Sequence, residues 1–403
     1  MITSAPQGRF DSLVFSAGSP FMRLTAELAD IPPGADPIDL SVGEPRHALP
    51  SFVGSVLSAA TIDFRRYPAI RGTEAFRRAV AAWIRLRFST GDFIDPDRMI
   101  LPLNGSREGL FFAALAAARY LGDKRDPAIL LPNPYYQAYS AGAVMANVEP
   151  VVVPTDPATG LVDFAALDPA LLSRTVAVYC ASPANPQGGL MTADAWRTLL
   201  RLARDNCFLV FADECYSEIY RKTPPTGILE VAAEEGRIDL VVAFNSLSKR
   251  SNLPGLRCGF AAGDPDFLDF LVKLRNMAAP QVPIPVQSVA VAAYRDERHV
   301  AHNRRLYNSK YDVADELLAG RFDYRRPDGG FFLWLDVSAE GGGEEVARRL
   351  WREAGLKTIP GSYLSAADAS GHNPGTPYLR LALVDDLQIT TTALKRLVAA
   401  LPA

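Results

Sequence analysis

The chain has 403 residues, 48% hydrophobic and 22% charged, more than the roughly 250–300 at which a single core stops growing, so two domains are expected. A formal net charge of −3 with dispersed Lys and Arg argues against a nucleic-acid partner, which requires a basic stripe. The start MITSAPQGRF lacks the basic opening and apolar core of a signal peptide. The longest apolar stretch, near 110–118, is far too short for a membrane span, so a soluble cytoplasmic protein without a membrane partner is expected.

In chain order, the first 45 residues read as loop with one short helix near 20–29. Within them SVGEP puts Gly43 where backbone can approach a ligand, and further on FRRYPAIRG places Tyr67 in a turn before a helix. From about 70 to 265, apolar runs at 128–131, 150–153, 175–180, 207–212, 240–244 and 259–262 read as strands. They alternate with helical patterns such as 106–120 and 192–204, which predicts an α/β fold with a mostly parallel central sheet covered on both faces. After Pro285 come one long helical region at 286–318, a strand at 331–337, a helix at 344–354, a strand at 378–384 and a closing helix, the pattern of a smaller α+β domain. The expected division is a large ligand-binding domain at 46–285 and a small domain built from 1–45 and 286–403. Cys180, Cys207, Cys215 and Cys258 lack metal-ligand spacing and read as reduced thiols. His299 and His302 read as solvated on a helix, His47 reads as a surface residue, and no metal is expected.

Chemistry gathers where the strands end. The run DLVVAF stops in NSLSKRSNLPGLRCGF, which puts Ser246, Ser248 and Lys249 at a strand's carboxyl end, where open α/β sheets bind ligands. Eight residues on, Arg257 supplies a guanidinium suited to a phosphate dianion. The run CFLVFA ends in Asp213-Glu214-Cys215-Tyr216, and TVAVYC ends in SPANPQG with Asn185 in the turn. In LPLNGSREGL, Gly105 and Ser106 open an apolar helix whose amides can cradle an anion. At PNPYYQAYS, Tyr135 either stacks on a ligand ring or covers a turn. In TPYLRLALV, Arg380 lies on the strand face opposite Leu379, Leu381 and Leu383, as a structural cation or as a clamp for a carboxylate. Moving an amino group requires a lysine amine, an acid that keeps a pyridine nitrogen protonated, donors that tune a phenolic oxygen, and an anion cup. Lys249, Asp213, the pair Asn185 and Tyr216, and the groups near Ser106, Ser246, Ser248 and Arg257 are of those types.

SLSKRSNLPGLRCGF with DECY, SPANPQG, NGSRE and NPYY in this order resembles the class I/II aminotransferases of pyridoxal-phosphate fold type I, over nearly the whole chain from Gly43 to Arg380. The resemblance implies pyridoxal 5'-phosphate held as an imine by Lys249, with Asp213 on the pyridine nitrogen, Asn185 and Tyr216 on the ring oxygen, and Tyr135 stacked on the ring. It implies phosphate contacts from Gly105, Ser106, Arg107, Ser246, Ser248 and Arg257, and substrate contacts from Gly43, Asn185 and Arg380. It also implies a homodimer in which Tyr67 reaches the neighbour's phosphate. Catalysis then falls to Lys249, Asp213 and Tyr216. Within the family the wording is most similar to the succinyldiaminopimelate aminotransferases of lysine and diaminopimelate biosynthesis, which implies glutamate and N-succinyl-2-amino-6-oxopimelate as substrates. Gln187, where many relatives have threonine, and Gly109, where alanine is usual, depart from that pattern.

The alternatives keep the cofactor and change the outcome: transfer from aspartate, alanine or aromatic amino acids, or β-elimination. A ligand-sensing regulator would need an added DNA-binding module, and a nicotinamide-dependent dehydrogenase would need a G-x-G-x-x-G turn that does not occur here. A long dicarboxylate substrate needs a distal cation, for which Arg46, Arg71, Arg325 and Arg326 are candidates.

Overall fold

The computed structural model describes residues 18–368 and 370–401, so the expectation drawn from the first ten residues lies outside them. Among the described residues the strands are β1 (Ile38–Asp39), β2 (Ile100–Leu103), β3 (Ala128–Asn133), β4 (Glu149–Pro154), β5 (Thr175–Ala181), β6 (Leu209–Asp213), β7 (Val241–Ser246), β8 (Gly259–Gly263), β9 (Phe332–Asp336), β10 (Leu356–Lys357), β11 (Ile359–Pro360) and β12 (Tyr378–Ala382). Seven of them form one sheet in the order β2-β8-β7-β6-β5-β3-β4. Its pairs are parallel except those of β8, which runs antiparallel to both neighbours. The mostly parallel sheet read from the sequence is therefore present. The burial of Val176, Val178, Val210 and Phe211 explains why its strands read as continuous apolar runs rather than alternating ones.

The smaller sheet, β11-β12-β9, is antiparallel, and the N-terminal segment joins its neighbourhood through β1, which pairs parallel to β10. The helical region at 286–318 is two helices, Ile284–Arg295 and Arg298–Leu318. Asp296 breaks it by accepting from the amide of Arg298, and no glycine or proline advertises the stop. The first of these helices packs on Phe52–Ala59 and Glu74–Arg87, and its Val289, Ala290 and Ala293 join the core of the large sheet, so that core runs past residue 285. Cys207 is no strand residue: it caps the helix Ala193–Asn206 in the left-handed region, φ 54°, and β6 starts at Leu209. Strand β2 had no strand signal of its own because its four residues include Pro102, which an edge strand tolerates. No helix among the described residues is long and apolar enough to cross a membrane.

Candidate active site

Because β3, β5, β6 and β7 run the same way, their carboxyl ends open on one side of the sheet, and reversed β8 brings its leading Arg257 to that side as well. A cavity of about 650 Å³ lies there, within the usual range of small-molecule sites. Lys249, Asp213, Tyr216, Asn185, Ser106, Arg107, Arg257, Tyr135, Gly43 and Arg380 all line it. Of the expected residues, Gly105 and the buried Ser246 and Ser248 are not part of the lining, and Tyr67 is 97% exposed on the surface of the chain.

Lys249 sits on the one-turn helix Leu247–Arg250 that follows β7, and its Nζ donates to the Gly43 carbonyl. Burial lowers its pKa to about 8, so a useful fraction of neutral amine exists near neutrality. Asp213 closes β6, where Tyr139 Oη donates to its Oδ2 at 2.7 Å and the Cys215 amide to its Oδ1 at 3.2 Å. These two bonds orient the carboxylate toward the cavity. Burial pushes the Tyr216 phenol well above its ordinary range, keeping it a neutral donor.

An anion cup lies at the start of the helix Ser106–Tyr120, an alanine-rich run whose composition favours helix. Its cap, Gly105, has φ 82°, and a Cβ there would collide with the Arg257 guanidinium. That guanidinium is held by the carbonyls of Pro254 (2.8 Å) and Asn104 (3.2 Å). The Ser246 and Ser248 hydroxyls are bonded to each other at 2.9 Å just beneath the turn. Amides, hydroxyls and a fixed cation around a turn with no room for a side chain suit a phosphate dianion.

At the substrate end Arg380 is 4% exposed, donates to Asn185 Oδ1 at 3.3 Å and to the Ser41 carbonyl at 2.6 Å, and lies 4.4 Å over the Phe332 ring. Gly43 lets that ring approach, since a Cβ would sit 2.7 Å from it. The four arginines considered for a distal contact do not line the cavity: Arg46 pairs with Asp385, Arg71 with Asp269, Arg325 with Asp323, and Arg326 with Asp312 and Asp315.

The sequence reading passed over Tyr136 and Tyr139. Tyr136 takes the Arg107 guanidinium on its hydroxyl and feels the charge of Asp213, whereas Tyr135 does neither. The i, i+3 spacing of Tyr136 and Tyr139 at the start of a helix was the available signal. Two histidine readings need correction. His299 has a side chain only 10% exposed and bonds to Ser251 and Asp296. His47 is half-buried against Lys310. His302 is exposed, as read.

A lysine, an acid, arginines and a helix start that line one cavity are the groups an amine-transferring pyridoxal-phosphate site requires. The comparisons agree: residues 35–397 match the model for aminotransferase class I and II, and the chain belongs to that pyridoxal-phosphate-dependent family. It is 33% identical to 4-dedimethylamino-4-oxo-anhydrotetracycline transaminase of Streptomyces rimosus, over 86% of this chain and 88% of that one. It is 30% identical to LL-diaminopimelate aminotransferase of Aquifex aeolicus, over 82% of this chain and 84% of that one. Among solved structures, an aminotransferase from Neisseria meningitidis superposes with a TM-score of 0.89 at 36% identity, covering 94% of this chain and 97% of that one.

Proposed function

We propose that this aminotransferase moves an amino group between glutamate and N-succinyl-2-amino-6-oxopimelate, with Lys249 holding the aldehyde carbon of the cofactor and later carrying the α-proton. The observation that carries the assignment of roles is that Lys249, Asp213, Tyr216, Ser106, Arg257 and Arg380 line one cavity. When bound, pyridoxal phosphate supplies a ring that accepts the electron pair left as the substrate's α-proton departs. Asp213 keeps the ring nitrogen protonated, Tyr216 and Asn185 donate to the ring oxygen, and Gly105, Ser106, Arg107, Ser246, Ser248 and Arg257 hold the phosphate. Tyr136, rather than Tyr135, covers the ring face, because it is the tyrosine coupled to Asp213 and Arg107. Arg380 clamps the substrate carboxylate, and Lys249, neutral in part near pH 8, takes the proton.

The diaminopimelate reading is supported by the resemblance in wording and by relatives named for diaminopimelate. One observation favours a second reading, an apolar or aromatic amino acid: the cavity lining includes Pro20, Phe21, Phe112 and Leu364 and none of the four candidate arginines. A distal carboxylate would then need a partner subunit. The segment carrying Tyr67 also exposes Leu49 (62%), Ile62 (60%) and Phe64 (58%), which supports a homodimer whose Tyr67 reaches across. The test is to titrate holoenzyme with glutamate, N-succinyl-diaminopimelate, phenylalanine and alanine and follow the visible band. Faster conversion by N-succinyl-diaminopimelate than by alanine is expected; phenylalanine outrunning it would move the assignment to the second reading.

A further inference from the structure

Outside the cavity lining lies a pair, a buried lysine on a half-buried histidine, that the chemistry above does not use. Lys310, 1% exposed on the helix Arg298–Leu318, donates to His47 Nε2 at 2.7 Å and to the Leu383 carbonyl at 2.8 Å. The His47 ring lies 4.7 Å from that of Tyr307, which stacks on Phe331, and Phe331 is 5.4 Å from Lys249 Nζ. Burial lowers Lys310 to about 7 and His47 to about 4, with Asp385 and Asp386 opposing the shift in Lys310, and Lys310 and His302 adding to that in His47. Near neutrality the pair therefore holds at most one proton, with Nζ as donor and the imidazole as acceptor.

His47 ends the loop that begins at Ser41. The carbonyls of Ser41 and Gly43 in that loop accept from Arg380 and from Lys249, the two cations of the reacting end. Upstream the chain is fixed by Leu40, whose amide and carbonyl bond Lys357 and Ala382. Downstream it is fixed by Arg46, whose amide bonds the Val384 carbonyl at 3.3 Å and whose guanidinium pairs with Asp385, and by Lys310 on His47. We propose that Lys310 and His47 are positioning residues for amino transfer: the bond between them fixes the back of loop 41–47 so that the Ser41 carbonyl holds Arg380 and the Gly43 carbonyl holds Lys249 whenever its amine is free of cofactor. A packing role alone would need no donor on Nζ, and Lys310 at this depth would be better replaced by an apolar side chain.

The proposal takes the chain as an aminotransferase and uses L-glutamate and 2-oxoglutarate as probes. With holoenzyme, Lys310→Met and His47→Phe should each raise KM for both probes about tenfold while kcat falls less, since Arg380 loses its fixed partner. The double variant should be no worse than either single one, and Lys310→Gln, which keeps two donors, should return KM toward wild type. Separately, in the full chain without cofactor, the pH midpoint of Lys249 acylation, read by mass spectrometry, should fall by about one pH unit in both variants, because its carbonyl acceptor is no longer held. An unchanged Lys249 midpoint in folded variants overturns the proposal, as do single effects that multiply. If Lys310→Met does not fold, His47→Phe, which keeps a ring on Tyr307, carries both measurements. A wild type that does not convert glutamate counts against the glutamate reading alone, and the Lys249 midpoint still decides.

Discussion

Lys249 is useful because its environment keeps it from being an ordinary lysine. The unshared electron pair is needed to take up the cofactor, and burial brings the midpoint down to about 8. Below that pH a growing fraction of the amine is protonated, and that fraction is inert. The rate at which protein without cofactor captures pyridoxal phosphate, followed by its visible band, should therefore rise with pH to about 8 and level off above it; a rate still climbing at pH 10 would show a lysine with an unshifted amine. Lys249→Ala should abolish turnover and still leave cofactor bound through the anion cup, measurable by equilibrium dialysis. Asp213→Ala should lower kcat by on the order of 10²–10³, because it removes charge stabilisation during proton loss, whereas Arg380→Ala should act mainly on KM. A larger kcat loss for Arg380→Ala than for Asp213→Ala would reverse these assignments.

Most of these groups were legible because each is a chemically distinct residue at the end of an apolar run, and strand ends converge on one side of a parallel sheet. Tyr139 and Lys310 were not legible for a physical reason. Their roles are bonds to Asp213 and His47, 74 and 263 residues away, and neither local spacing nor residue type announces such a partner.

At the scale of elements, the anion cup depends on a turn with no room. Gly105→Ala would place a methyl group against Arg257 at a left-handed φ, and should weaken cofactor affinity with about 1–3 kcal/mol lost from stability, read by thermal melting and cofactor titration. Unchanged affinity would mean that the cup lies elsewhere. Gly109, noted as a departure from the related wording, faces the sheet: a Cβ there would press on the Leu103 side chain of β2, which would have to shift to admit alanine. Gln187 bonds Thr155 Oγ at 3.2 Å, outside the cavity lining. Six of the seven strands of the large sheet were readable to within two residues because they are short apolar runs, whereas β2, with Pro102 in its four residues, was not. The break at Asp296 was not readable, because a local turn within a polar stretch, without glycine or proline, leaves the helical period intact on either side.

At the scale of the molecule, one chain brings most of the expected residues to a single cavity, and Tyr67 is not among them. Sedimentation should find a dimer, and Tyr67→Phe should weaken cofactor affinity without altering the dimer; a monomer with full activity would remove the shared-site reading. The broader claim is that loops from separate strands close on one aldehyde with Lys249 as the attached amine. Borohydride reduction of the freshly isolated holoenzyme, followed by peptide mass spectrometry, tests it most directly. The cofactor mass should appear on Lys249 alone; a mass on another lysine, or on none, contradicts the account.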